Sequence, residues 1–346
     1  MALSGGLTLL FTGASIVMRV FSGMLTDRLG KRKIMVGGAV LTAVAVLLIA
    51  WYPALGMIAA MQLVFGAGLA NLTTASGAAV VDVTPPERLG EGLGYYTLGN
   101  SVAMAIGPAI GLAVIGGSNN YRGMYLFALI LVLVTTLLCG RVRYQTPGMT
   151  TVSSSSGKKF DLKSVIETAT IPASIIQFTA IFSFTSVISY IAAYAKEAGF
   201  SGIGSFFTVY AMGMIAVRLV IGKIVDKRSE KSVTIFALAV MAIAFVGIVR
   251  AESLNSLLLI AVILGLGQGA VMPALQKAAM KHVAAERRGA GNATYQLFAD
   301  IGTGFGAAVW GIVVEHAGFS AVYYGAAGTC LFGIVLTVFI LERRKR

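Results

Sequence analysis

A chain of 346 residues that is 57% hydrophobic and 12% charged, with a mean hydropathy of +0.85, has about half the charge that a soluble domain uses to cover its surface. That sparsity holds along the whole length, which excludes a soluble fold and predicts an integral membrane protein. The apolar runs are near-continuous and do not alternate, so a barrel is excluded and helices of about 20 residues must cross the bilayer.

In chain order the runs predict eleven spans: 6–25, 34–53, 57–81, 93–115, 122–140, 171–194, 203–224, 232–250, 255–279, 291–315 and 319–341. The first ends in a charge cluster, GMLTDRLGKRK (23–33), whose single acid is Asp27. The third contains MQLVFGAGLA (61–70), and the fourth contains AMAIGPAIGLAV (103–114). The long polar stretch RVRYQTPGMTTVSSSSGKKFDLK (141–163) reads as a flexible linker. It divides the chain into an N-terminal bundle (1–140), a linker (141–164) and a C-terminal bundle (165–346).

With the 26–33 loop placed in the cytoplasm, 22 of the 27 Lys and Arg residues fall on the inner side. The positive-inside rule then sets the amino terminus outside and the carboxyl terminus in the cytoplasm, as in a multi-pass protein of the cell membrane. The net charge of +13 is therefore a topology signal, and the expected surroundings are a lipid bilayer, with no nucleic acid. Cys139 and Cys330 both lie in apolar helices, and His282 and His316 have no ligand spacing, so neither a disulfide framework nor a metal site is expected.

A shift of 199 residues superposes one half on the other. Arg19 falls on Arg218, Gly23 on Gly222 and Asp27 on Asp226. Without a gap, Gly66 and Gly68 fall on Gly265 and Gly267, Glu87 and Arg88 on Glu286 and Arg287, and Gly107 on Gly306. This is a parallel repeat, expected of a transporter that moves one bundle against another around a midplane site. The counterpart of 171–194 would lie before Met1, so the first bundle is expected to be one helix short of a twelve-span pattern.

GMLTDRLGKRK matches the cytoplasmic loop signature G-x-x-x-D-R-x-G-R-K, and the chain resembles the major facilitator superfamily. IGKIVDKRSEK is a degenerate second copy, with Ser229 where Gly30 stands in the first. The resemblance implies an all-α fold of two helix bundles related by a pseudo-twofold axis. It also implies a conformational switch at Arg19, Gly23, Asp27, Arg28, Gly30, Arg32, Arg218, Gly222 and Asp226, in which the acid meets the start of the helix 291–315. Gly107, Pro108 and Gly111 resemble the helix-kinking motif of proton-coupled exporters in that family, with Leu112 in place of its last glycine. Gln62 stands where many antiporters carry an arginine.

Intramembrane ions are costly and mark functional candidates. Asp300, about nine residues into its span, is the candidate for proton coupling, with a raised pKa expected; a structural acid paired with Arg19 or Arg218, or hydrogen-bonded to Gln296, is the alternative. Asn71, Thr74, Gln177, Ser189, Tyr190, Tyr194, Gln268 and Met272 are candidates for a substrate cavity, or for hydrogen bonds between helices. None is charged, which favours a small neutral or amphipathic organic substrate. The expectation is a monomeric secondary transporter and not an enzyme, with a proton gradient and no cofactor, most like the drug and metabolite exporters. The alternatives are an uptake symporter or uniporter for a sugar-like solute, and a truncated membrane protein without transport.

Overall fold

The computed structural model describes residues 2–115, 121–142, 166–200 and 202–342. They form α1 (Ala2–Leu29), α2 (Lys31–Trp51), α3 (Leu55–Val83), α4 (Leu89–Ile115), α5 (Tyr121–Arg141), α6 (Ile171–Glu197), α7 (Gly204–Lys227), α8 (Glu230–Arg250), α9 (Leu254–Met280) and α10 (Arg288–Glu342). One-turn 3-10 helices, Pro86–Arg88 and Ala285–Arg287, precede α4 and α10. The linker lies outside the described residues from 143 to 165, as does the tail from 343 to 346.

Each predicted span lies on a helix, overrunning a helix end by at most two residues while the helices extend up to about four residues further, and α10 carries the last two, broken at Gly318 by a φ of 75°. The stretch Ala285–Leu341 has 57 residues; at 1.5 Å per residue it is long enough for two crossings of a core about 30 Å thick. By length and composition, eight helical stretches among the described residues qualify as candidate spans. The expected end of the second span at residue 53 moves back to Trp51, because Pro53 pushes Tyr52 out of the helical region, to φ −127° and ψ 81°. Gly30, at φ 92°, separates α1 from α2 in a conformation that L residues avoid. Side-chain oxygens start later helices: Ser229 accepts from the Ser232 N–H, and Ser253 and Ser256 cap each other reciprocally.

The described chain packs as two compact units that interleave in sequence. The first takes Met1–Val83, Ala109–Thr170 and His282–Asp300; the second takes Thr84–Pro108, Ile171–Lys281 and Ile301–Arg346. In the first, α1 and α2 both lie along α3, and α5 lies along α2. In the second, α6, α7 and α8 all lie along α9. Helices α3 and α9 are the same element of the repeat, so both units are assembled around equivalent hubs. Each unit also takes the beginning of a helix from the opposite half of the chain: the start of α10 in the first, the start of α4 in the second.

Small residues make this packing possible in a solvent where apolar burial drives little association. Gly66 of α3 lies against the carbonyl of Phe11, and Gly265 of α9 against that of Tyr210, the residue 199 positions on from Phe11. A side chain at either glycine would strike backbone. Outward faces are apolar, as on α5, where Ile130, Leu131, Leu137 and Leu138 are more than half exposed. Such a surface suits lipid rather than water.

Candidate functional site

Asp27 sits in the last turn of α1, beyond the span 6–25, and receives the start of α10. The Gly289 N–H donates to its Oδ1 at 2.7 Å and the Ala290 N–H to its Oδ2 at 2.9 Å. Asp226, in the last turn of α7, repeats this on the start of α4, with N–H donors from Gly90 at 2.8 Å and Glu91 at 2.9 Å. Every atom pair in the second contact is the first displaced by 199 residues. The chemistry is that of a helix amino terminus, where backbone donors lack intrahelical acceptors and the helix dipole favours an anion. Close approach is required for it. A Cβ at Gly23 would lie 2.7 Å from the Ala290 Cα, and one at Gly222 would lie 2.6 Å from the Glu91 Cα. Burial pushes the Asp27 carboxyl up to about 6, opposed by the Ala290 and Gly289 donors and by the charges of Lys31 and Arg287.

Ion pairs flank both contacts. Lys31 meets Asp82 at 2.5 Å, and Arg288 reaches the other oxygen of the same fully buried carboxylate at 2.9 Å. In the second unit Lys281 meets Glu230 at 3.0 Å, and Lys277 meets Asp226 at 2.7 Å. Residues 31 and 82 map onto 230 and 281, so the Lys31–Asp82 pair recurs as Glu230–Lys281 with its charges exchanged. Arg32 donates to the Gly140 carbonyl, which ties α2 to the end of α5, and Arg28 is exposed.

Deeper in the helices, the buried Arg19 grips Asp300 through Nε, with Nη2 at 3.4 Å from Oδ1. Ser15 donates to the same carboxylate at 2.9 Å. Arg19 also donates to Thr73 at 3.0 Å and Thr74 at 3.4 Å, and the Asn292 amide donates to the carbonyls of both threonines. These bonds lock α1, α3 and α10 together inside the first unit. The repeat holds again: Arg218 donates to the Thr97 carbonyl and to Ser101, and Ser101 is the counterpart of Asp300. One arginine contact thus carries a carboxylate and its copy carries a hydroxyl.

The cavity candidates divide by environment. Tyr190 donates to the Ala307 carbonyl at 2.7 Å and Tyr194 to that of Ile248 at 3.0 Å, so both hydroxyls tie α6 to its neighbours. Thr74 belongs to the Arg19 cluster, and Asn71 lies against Gly38 of α2. Gln177 donates to the Met272 sulfur at 2.8 Å, which joins α6 to α9. The Oε1 atoms of Gln177 and Gln268 are buried without a hydrogen-bond donor among the described residues, and Ser189 is exposed. Gly107 and Gly111 lie within α4 with open space where a Cβ would stand; the side chain of Pro108 lies outside the described residues.

Several participants lie in no motif of the sequence: Asp82, Lys277, Lys281, Ser15 and Ser101. A search of the repeat for conserved charge class, allowing sign exchange, would have found the Lys31–Asp82 and Glu230–Lys281 pairs.

A sequence model described as the Major Facilitator Superfamily matches residues 2–249 and again 173–346. The uncharacterized MFS-type transporter YhhS of Escherichia coli K12 is 24% identical over 335 residues, spanning 94% of this chain and 80% of the relative. The staphylopine export protein of Staphylococcus aureus Mu50 is 22% identical over 344 residues, spanning 96% and 85%. Among solved structures, the Escherichia coli fucose:proton symporter FucP superposes with a TM-score of 0.80 at 17% identity, covering 98% of this chain and 91% of that one.

Proposed function

This chain belongs to the Major Facilitator Superfamily, as a multi-pass membrane transporter of small molecules and not an enzyme, and from that premise we propose a proton-coupled exporter of neutral or amphipathic organic molecules. The observation that carries the reading is the pair of crosswise contacts. Asp27 and Asp226 each bind the start of a helix from the other sequence repeat, through paired N–H donors at 2.7–2.9 Å. Two such latches at the cytoplasmic ends of α1 and α7 hold the repeats 1–140 and 165–346 together on one side of the cell membrane. Their release lets the halves rock and opens a midplane site to that same side. The polar groups offered to a substrate are Gln177, Gln268, Met272 and Ser189, all uncharged.

Asp300 supplies the coupling. Its carboxylate holds Arg19, which also bonds Thr73 and Thr74, so a proton taken up there would weaken the hold on the guanidinium. A relative named as an export protein supports efflux as the direction. The protein works as a monomer, without a resident cofactor.

The test is accumulation of labelled neutral and amphipathic compounds in everted membrane vesicles under an imposed pH gradient. Accumulation inside everted vesicles marks export, and the opposite direction marks uptake. Undiminished gradient-driven transport by Asp300→Asn, at equal protein level, would remove Asp300 from the coupling step.

A further inference from the structure

The chain between α5 and α6 re-enters the described structure at Ile166 and turns at once. The Thr170 N–H and Oγ1 donate to the Glu167 carbonyl at 3.1 and 2.8 Å, and the Ala169 N–H donates to Glu167 Oε1 at 3.1 Å. This turn is bonded to the residues that open α10. Glu167 forms an ion pair with Arg287 Nε, and Arg287 Nη2 donates to the Ile166 carbonyl at 3.3 Å. The Glu167 N–H donates to Thr294 Oγ1 at 3.0 Å, and Thr294 donates onward to the Ala290 carbonyl at 2.9 Å. Ala290 is the residue whose N–H is held by Asp27.

We propose that Glu167, just beyond the central linker, is a positioning residue of the Asp27 latch: it holds the first turn of α10 in place through Arg287 and Thr294. The repeat shows why a carboxylate from outside α10 is needed here. Arg88, the counterpart of Arg287, pairs with Glu91 three residues on at 3.2 Å. At the matching position of the second copy stands Ala290, so Arg287 takes its carboxylate from the segment before α6 instead.

The anchor also sets what Asp27 experiences electrically. The charged groups acting on Asp27 are Lys31 from α2 and Arg287 from the one-turn helix before α10, both favouring its ionised form. The Glu167 carboxylate offsets the second of these. Glu167→Gln therefore loosens the first turn of α10 and strengthens the positive field at Asp27, whereas Thr294→Val loosens the turn and leaves that field alone.

The full chain in lipid nanodiscs, followed by hydrogen–deuterium exchange from pH 5 to 8 with intrinsic rates corrected, reads both effects. Glu167→Gln is expected to speed exchange at 286–294 and at the 24–29 end of α1 by about two- to fivefold. It should also lower the pH at which exchange at 24–29 changes. Thr294→Val should reproduce the faster exchange without the pH displacement, Thr294→Ser should restore it, and 86–94 should be unaffected throughout. Exchange that rises only at 166–170 in both variants, with 286–294 and 24–29 unmoved, would overturn the proposal. The measurement rests on the latch for its meaning but needs no transport, so a negative result here would leave the proposed transport cycle standing.

Discussion

At the scale of single residues, the two acid contacts share geometry, but their neighbourhoods differ, and Asp27 shows the consequence. Burial raises its carboxyl from an ordinary value near 3.8 to about 6, so the engaged form binds a proton more readily than a solvated aspartate. That contribution favours engagement in acid and is lost as pH rises through about 6. Protection of the Gly289 and Ala290 amides in the purified protein should therefore increase from pH 7 to pH 5, and Asp27→Asn should abolish the change. Arg19 and Asp300 give a second test. Removing one partner leaves a poorly compensated charge within the membrane, so Arg19→Met should lower stability by about 3 kcal/mol in denaturant or thermal assays. The double variant Arg19→Met, Asp300→Leu should recover most of that loss. The identities of Asp27 and Asp226 were legible in the sequence because the repeat preserves them. The partner of Arg19 was open between structural and coupling readings, because Asp300 lies 281 positions away and only folding brings them together.

At the scale of elements, helix lengths were readable because the bilayer sets them and breakers such as Pro53 trim the ends. Helix contacts were readable only as glycines without partners. Gly66 and Gly265 are now placed against backbone carbonyls of α1 and α7, so Gly66→Val or Gly265→Val should cost about 1–3 kcal/mol, seen as a lower melting temperature. Gly13, on the same helix as Phe11 but facing open space, is the control, and Gly13→Ala should be neutral or slightly stabilising. The charge-exchanged pairs make a stricter test of the repeat at this scale. Asp82→Ala strands Lys31 and Arg288 and should destabilise by about 3–5 kcal/mol. The triple variant Lys31→Glu, Asp82→Lys, Arg288→Leu copies the residues found at 230, 281 and 89, and should fold more stably than Asp82→Ala.

At the scale of the whole molecule, composition and length determined a polytopic helical protein, since a chain this apolar can satisfy its backbone in lipid in few other ways. The 199-residue register determined a duplicated architecture, and the loop motif named its family. The sequence halves are contiguous, yet the compact units are interleaved, because each acid captures the start of a helix from the opposite repeat. Only the tertiary structure decided that arrangement, together with the pairing of Arg19 with Asp300 and the anchoring of Arg287 by Glu167. Periodicity and hydropathy record what each segment exchanges with lipid and water. They carry no record of which donor meets which acceptor once the helices have packed, and that meeting is what the latch is made of.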